Sequence, residues 1–451
     1  MDQRARPTSE DRSRPSGLTG GTRRRVHRAA ALALAATLLV GAASCSADDG
    51  ETSTSTSTTA SPTTTEPAAG FEPEAVDGGG DTYAVPDELP DAPHGTLLRY
   101  QEMTDYTAPG STAYRILYLS TSLEGDPIAV SGMASVPTAA APEDGRPLLT
   151  IAHGTTGIAD ACAPSKEPTR SEMTLARIGL GDRFLIAATD YEGMGTPGRH
   201  PYLVGASEGR SAIDAIIAAG QLPEADPGDQ LAIAGYSQGG HGALWTNEVA
   251  AEWAPELEVV GTFAGAPASE ISVLLAAAPR LPQAGFAYLV IAGIAAAHPE
   301  ADPAQILTPE GLDLLDAVDE GCVRDVFAAV ATSPVSELIR ADGPATEPWS
   351  SLAEAQDAGQ RKTNDAPVLI IQSRQDTTVP PFFAEQVSDR MCANDQVVDL
   401  RWYEEGGHTE TAIPAYREAL PWLEARFASD DPGDVTGDGD AATAVTSTCA
   451  S

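Results

Sequence analysis

Six runs dominated by apolar residues set the limits on what this chain can fold into. They cover residues 148–152, 184–189, 231–234, 259–263, 368–371 and 397–402. A strand with one face in water alternates apolar and polar residues. An unbroken run is buried on both faces, which is the situation inside a mostly parallel sheet covered by helices. Helical patterns separate these runs, such as 208–219, where Ile213, Ile216 and Ile217 share one side. Ahead of them lie three shorter strand-like runs, 97–100, 114–119 and 128–133, joined by short turns that favour antiparallel pairing. The expected architecture is α/β, with a mostly parallel central sheet flanked by helices. One gap breaks the rhythm. Residues 268–366 carry helical patterns and no strong strand, and they are too many for a plain loop. They read as a helical cap over the carboxyl edge of the sheet. Within them residues 286–297 are apolar all round, yet too short to span a bilayer, which takes about 20 residues. A buried helix is the better reading.

The run 231–234 leads into Gly235-Tyr236-Ser237-Gln238-Gly239, and a helical pattern follows. Strand, G-x-S-x-G and helix together make a nucleophile elbow, a sharp turn that presents the Ser237 hydroxyl. Glycine is needed on either side because bulk would meet neighbouring backbone. The helix N-terminus behind Ser237 favours developing negative charge. A serine nucleophile needs a base and a group to orient it, each just after a later strand. The run 368–371 leads into Ser373-Arg374-Gln375-Asp376, so Asp376 is the candidate orienting acid. The last run leads into Glu404-Glu405-Gly406-Gly407-His408, so His408, on a glycine-loosened loop, is the candidate base. Of the seven histidines only His408 follows the last strand; His241 is too close in sequence to Ser237 for that role. After 148–152 comes His153-Gly154-Thr155-Thr156-Gly157. Such a turn supplies one backbone N–H of an oxyanion hole, and the residue after the nucleophile supplies the other. Thr155 and Gln238 are the candidates, with Thr156 the rival of Thr155. His153 reads as a brace for the turn.

The two ends of the chain have other compositions. Residues 1–44 read as an export signal: eight arginines by residue 28, then an apolar stretch 29–43. Ala42-Ala43-Ser44-Cys45 resembles a bacterial lipoprotein box, in which Cys45 would carry a lipid anchor; ordinary cleavage and release is the alternative. Residues 45–85, rich in Ser, Thr, Pro and Gly, read as a disordered tether with no apolar face to offset ordering entropy. The catalytic domain is expected over 86–429 and an acidic tail over 430–451. Net charge is −38, and beyond Cys45 acidic residues outnumber basic ones 62 to 19. Such a surface repels phosphate backbones and argues against nucleic acid as a partner. Besides Cys45 there are Cys162, Cys322, Cys392 and Cys449; in an exported chain an even number favours two disulfides, with three connectivities open. No Cys/His cluster offers a zinc ligand set. Asp434-Val435-Thr436-Gly437-Asp438-Gly439 looks like the start of a calcium loop, but its twelfth position is Val445 instead of the bidentate acid such a loop needs. Neither a metal nor another cofactor is called for.

The order of these features is similar to that of a known group. His153-Gly154 near Cys162-Ala163-Pro164-Ser165, Asp190-Tyr191-Glu192-Gly193 before Gly205 and Glu208-Gly209, then the elbow, the insertion, Asp376 and His408 resemble the secretory lipase family, of fungal lipase A type with bacterial members. The likeness runs over residues 87–428. It implies an α/β-hydrolase fold and metal-free carboxylic-ester hydrolysis, often of acylglycerols, through Ser237, Asp376 and His408. It also implies a helical lid where the cap is placed, and disulfides Cys162–Cys322 and Cys392–Cys449. Fungal members can have an acidic residue near the oxyanion turn, where this chain has Thr155-Thr156. Cap residues Leu274, Leu275, Phe286, Leu289, Val290 and Ile291 would suit an apolar acyl chain, or simply a core. Competing readings are a cutinase-like esterase, which is compact and capless, a serine peptidase, and a surface-tethered binding protein without catalysis.

Overall fold

The computed structural model describes residues 71–77, 80–280, 284–428 and 446–449. They fall within one unit, Ala60–Ser451. The export signal, Cys45 and the calcium-like run 434–439 lie outside the described residues.

The strands are β1 (Glu74–Ala75), β2 (Leu97–Glu102), β3 (Ser111–Thr121), β4 (Pro127–Pro137), β5 (Arg146–Ala152), β6 (Leu185–Thr189), β7 (Pro227–Tyr236), β8 (Glu258–Gly265), β9 (Val368–Ser373), β10 (Val398–Tyr403) and β11 (Thr446–Thr448). They form one sheet in the order β1-β2-β3-β4-β6-β5-β7-β8-β9-β10-β11. From β6 to β10 every pairing is parallel. β2, β3 and β4 pair antiparallel, as the short turns require. Each apolar run became a parallel strand, and β6, β9 and β10 are buried along their whole length. Helices α1 (Met173–Leu180), α2 (Gly205–Ala219) and α3 (Gln238–Trp253) belong to the body. The cap holds α4 (Ile271–Ala277), α5 (Gly285–Ala297), α6 (Pro309–Leu312), α7 (Leu315–Glu320), α8 (Val323–Val330), α9 (Val335–Leu338) and α10 (Trp349–Glu354). Two body helices follow, α11 (Pro381–Ala393) and α12 (His408–Arg426).

The cap shares one apolar cluster with Ile158, Tyr202, Leu203, Ala268, Val379 and Phe383. Those residues sit just after β5, β6, β8 and β9, so the insertion covers the carboxyl edge of the sheet. α5 is buried nearly all round, and a Cβ on Gly293 would come within 2.3 Å of the Tyr202 carbonyl. Leu275, Leu289, Val290 and Ile291 are fully buried in this cluster. Of the six residues suited to an acyl chain, these four are core, and only Leu274 and Phe286 are half-buried.

Two boundaries differ from expectation. Paired and packed chain is present before residue 86: β1 pairs with β2, and Phe71, Val85 and Leu89 pack on Leu98, Leu117 and Leu119. These few apolar side chains are too sparse to register in a segment read by composition. At the other end β11 pairs antiparallel with β10, inside the span expected as an acidic tail. Thr446, Ser447 and Thr448 carry no strand signal of their own; the Cys392–Cys449 disulfide holds them to the sheet edge. A second disulfide, Cys162–Cys322, joins the body to the cap across 160 residues of sequence. Closing a loop of that length removes about 5 kcal/mol of unfolded-chain entropy in the loop-closure treatment.

Candidate active site

The elbow is built by close backbone contact. A Cβ on Gly235 would lie 1.9 Å from the Gly239 carbonyl oxygen, and one on Gly239 would lie 2.0 Å from that of Ala152. Only glycine lets the chain turn there. Ser237 has φ 63° and ψ −119°, a conformation that costs about 1–3 kcal/mol and is held by its neighbours. Its N–H donates to Gly265 O (2.8 Å), and its carbonyl accepts from the N–H groups of His241 (3.1 Å) and Ala268 (3.3 Å).

Ser237 Oγ lies 2.9 Å from His408 Nε2, and His408 Nδ1 lies 2.6 Å from Asp376 Oδ2. The second Asp376 oxygen accepts from the backbone N–H groups of Thr378 (2.8 Å) and Val379 (2.9 Å), which fixes the carboxylate. His408 begins α12 instead of riding on a loop, and Gly406, at φ 91°, makes the turn into it. Cross-links hold the Asp376 and His408 segments together. Ser373 Oγ donates to Gly406 O, Arg374 N–H to Tyr403 O (2.9 Å) and Gln375 Nε2 to Glu404 O (3.0 Å).

The turn after β5 passes over the elbow: a Cβ on Gly154 would be 3.2 Å from Tyr236 O and 4.0 Å from Ser237 Cβ. His153 is fully buried, its Nδ1 is 2.7 Å from Gly154 O, and its ring lies against Tyr191. Thr155 Oγ1 is 2.7 Å from the Tyr202 hydroxyl. Gln238 opens α3, so its N–H has no acceptor within the helix.

Residues 165–435, more than half the chain, match the family of secretory lipases. The chain belongs to that family. This secretory lipase is 24% identical over 370 residues to a probable inactive lipase of Mycobacterium tuberculosis, covering 77% of this chain and 81% of that protein. It is 25% identical over 373 residues to a secreted triacylglycerol lipase of Malassezia globosa, covering 76% and 80%. Among solved structures it resembles Candida antarctica lipase A, with TM-score 0.64 and 19% identity over 78% of this chain and 86% of that one. The rice cell wall degrading esterase of Xanthomonas oryzae gives 0.59 at 20% identity, over 74% and 97%. The shared fold is the α/β-hydrolase fold.

Behind the elbow of the secretory lipase lies a buried polar network that periodicity did not expose. Gln238 Nε2 donates to Glu208 Oε1 (2.9 Å) and meets His200 Nε2 at 3.1 Å. His241 Nδ1 is 2.7 Å from Glu208 Oε2, and its Nε2 donates to Gln356 O at 2.9 Å. Gln356 in turn accepts from the Gly205 N–H, so the last turn of the cap, α2 and α3 meet at one point. The side chains come from three segments, with His200 ahead of α2, Glu208 on α2, and Gln238 and His241 on the first turn of α3, which is why no local pattern marks them. Glu208-Gly209 and the histidine content were the visible traces. His200 is buried, and burial, aided by nearby His153, pushes its pKa down to about 3.

Proposed function

We propose that this chain is an exported carboxylic-ester hydrolase that works through an acyl-enzyme on Ser237. The observation carrying the reading is the unbroken line Ser237 Oγ, His408 Nε2, His408 Nδ1, Asp376 Oδ2, with contacts of 2.9 and 2.6 Å. In this reading Ser237 attacks the ester carbonyl while His408 takes the hydroxyl proton. Asp376 holds the imidazole and stabilises its cation. The backbone N–H groups of Thr155 and Gln238 bind the oxyanion; losing one such donor typically costs about 3–4 kcal/mol. His408 then protonates the departing alcohol. Water, activated by the same imidazole, releases the acid and restores Ser237.

Family membership and the lipase and esterase relatives support an ester substrate, with acylglycerols or other acyl esters as the class. The secreted relatives support export. Anchoring through Cys45 is part of the proposal, and the described residues hold no helix long and apolar enough to cross a membrane. The relative described as probably inactive makes turnover the deciding question. The test is hydrolysis of para-nitrophenyl esters of graded chain length, against a peptide anilide, by the wild type and Ser237→Ala. Ester turnover lost in the variant supports the reading. Anilide cleavage without ester cleavage would favour a peptidase, and no turnover of either would favour a binding protein.

A further inference from the structure

We propose that Glu172 is a positioning residue for the oxyanion turn: its carboxylate sets the direction in which Thr155 presents its backbone N–H. The inference rests on the acyl-enzyme reading above and adds a residue to it.

The parallel ladder between β5 and β7 ends at Ala152 and Gly235. Two residues further on, the Gly154 N–H has left the sheet and needs another acceptor. Glu172 provides it, with Oε1 3.0 Å from Gly154 N. A Cβ on Gly154 would stand 3.0 Å from that oxygen and 4.0 Å from Ser237 Cβ, so the carboxylate reaches the nucleophile's own neighbourhood. Glu172 is delivered by a fixed backbone. Its carbonyl accepts from the Leu175 N–H at 3.0 Å, and Ser171 and Met173 on either side are buried.

Glycine has the widest backbone freedom of any residue, so Gly154 by itself would let the turn swivel. Three contacts remove that freedom. Glu172 takes the Gly154 N–H, His153 Nδ1 lies at 2.7 Å from the Gly154 carbonyl, and Thr156 O accepts from the cap's Val323 N–H at 2.9 Å. In a trans peptide the C=O and the following N–H point in opposite directions. Pinning the Gly154 carbonyl towards His153 therefore aims the Thr155 N–H away from it, and Glu172 fixes the residue about which that peptide would otherwise turn. A carboxylate this near to a developing oxyanion opposes it by charge. Its benefit must come from where its oxygen sits. That separates two effects: an amide oxygen at position 172 keeps the acceptor and removes the opposing charge.

The experiment measures kcat and KM on para-nitrophenyl butyrate, and inhibition by a phenylboronic acid, for the full chain and for Glu172→Gln, Glu172→Met and Glu172→Ala. Methionine matches the shape without accepting a strong hydrogen bond. The expected result is a fall in kcat of about 10- to 100-fold for Met or Ala, less than loss of a whole donor, at KM within about twofold. Boronate affinity falls in parallel, and Gln stays within about threefold of the wild type. Either acceptor-free variant suffices if the other does not fold. Acceptor-free variants as fast as the wild type would overturn the inference, as would Gln falling as far as Met. A wild type that turns over no ester would instead sink the acyl-enzyme reading, and the inference with it.

Discussion

The hydroxyl of Tyr236, the residue before the proposed nucleophile, donates a 2.7 Å hydrogen bond to the backbone carbonyl of His408, the proposed base. It also lies 2.9 Å from Thr411 Oγ1 in the first turn of α12. One side chain on the elbow strand therefore anchors the start of the helix that carries the imidazole. Tyr236→Phe removes this anchor and leaves the carbonyl with the longer contact from Thr411 Oγ1 at 3.4 Å, a loss of about 1 kcal/mol in stability. Since alignment of Nε2 with Ser237 Oγ depends on that helix start, kcat should fall by about 5- to 10-fold at unchanged KM. Steady-state kinetics and urea unfolding of the variant check both parts; an unchanged kcat would show that α12 holds His408 without help.

Acid should weaken the fold through His200. Its Nδ1 faces Glu192 O at 3.0 Å and its Nε2 faces the Gln238 amide nitrogen at 3.1 Å, an arrangement that suits only the neutral ring with a proton on Nδ1. With the folded pKa at about 3, against about 6.5 unfolded, the unfolded chain takes up a proton that the folded chain refuses. This stabilisation is complete above pH 6.5 and is lost progressively as pH falls from 6.5 towards 3. Between pH 6.5 and 5 it amounts to about 2 kcal/mol. Comparing urea unfolding from pH 7.5 to 5 in wild type and His200→Gln isolates the effect. The variant should lose stability less steeply, by close to one proton; parallel slopes would contradict it.

The Cys162–Cys322 bridge should matter for the turn as well as for the cap. Gly157 pairs with Cys322, and Val323 N–H holds Thr156 O. Cys322→Ser should cost about 3–5 kcal/mol of stability. It should also lower kcat, because the far end of the oxyanion turn loses its support. Thiol titration of the native wild type should find neither sulfur free, and ester kinetics of the variant test the coupling. Full activity in a destabilised variant would confine the bridge to a role in stability.

The sheet was legible because burial on both faces leaves runs dominated by apolar residues, as in β5 to β9; β10, with Asp399 and Arg401 between Val398, Leu400 and Trp402, is the weakest of them. The meeting of Ser237, His408 and Asp376 was legible because each sits just past such a run, where a sheet delivers side chains to a common edge. Glu172 was not legible. Its partner is a backbone N–H in another loop, and backbone leaves no mark in a sequence. The Glu208–His241 pair escaped for a similar reason, since its members lie on different helices and meet only after α2 packs on α3. Leu289 and Ile291 left two readings open in the sequence, because an apolar helix looks the same whether it lines an open channel or fills a core. β11 is held by a disulfide and a sheet edge, neither of which a three-residue Thr/Ser segment announces.

Intact-mass spectrometry after exposure to a fluorophosphonate, with residual ester hydrolysis followed in the same sample, tests the central claim most directly. A single adduct mapped to Ser237, formed in step with loss of turnover and absent from Ser237→Ala, is the predicted result. Ester hydrolysis that persists without an adduct, or that survives undiminished in Ser237→Ala, would contradict it.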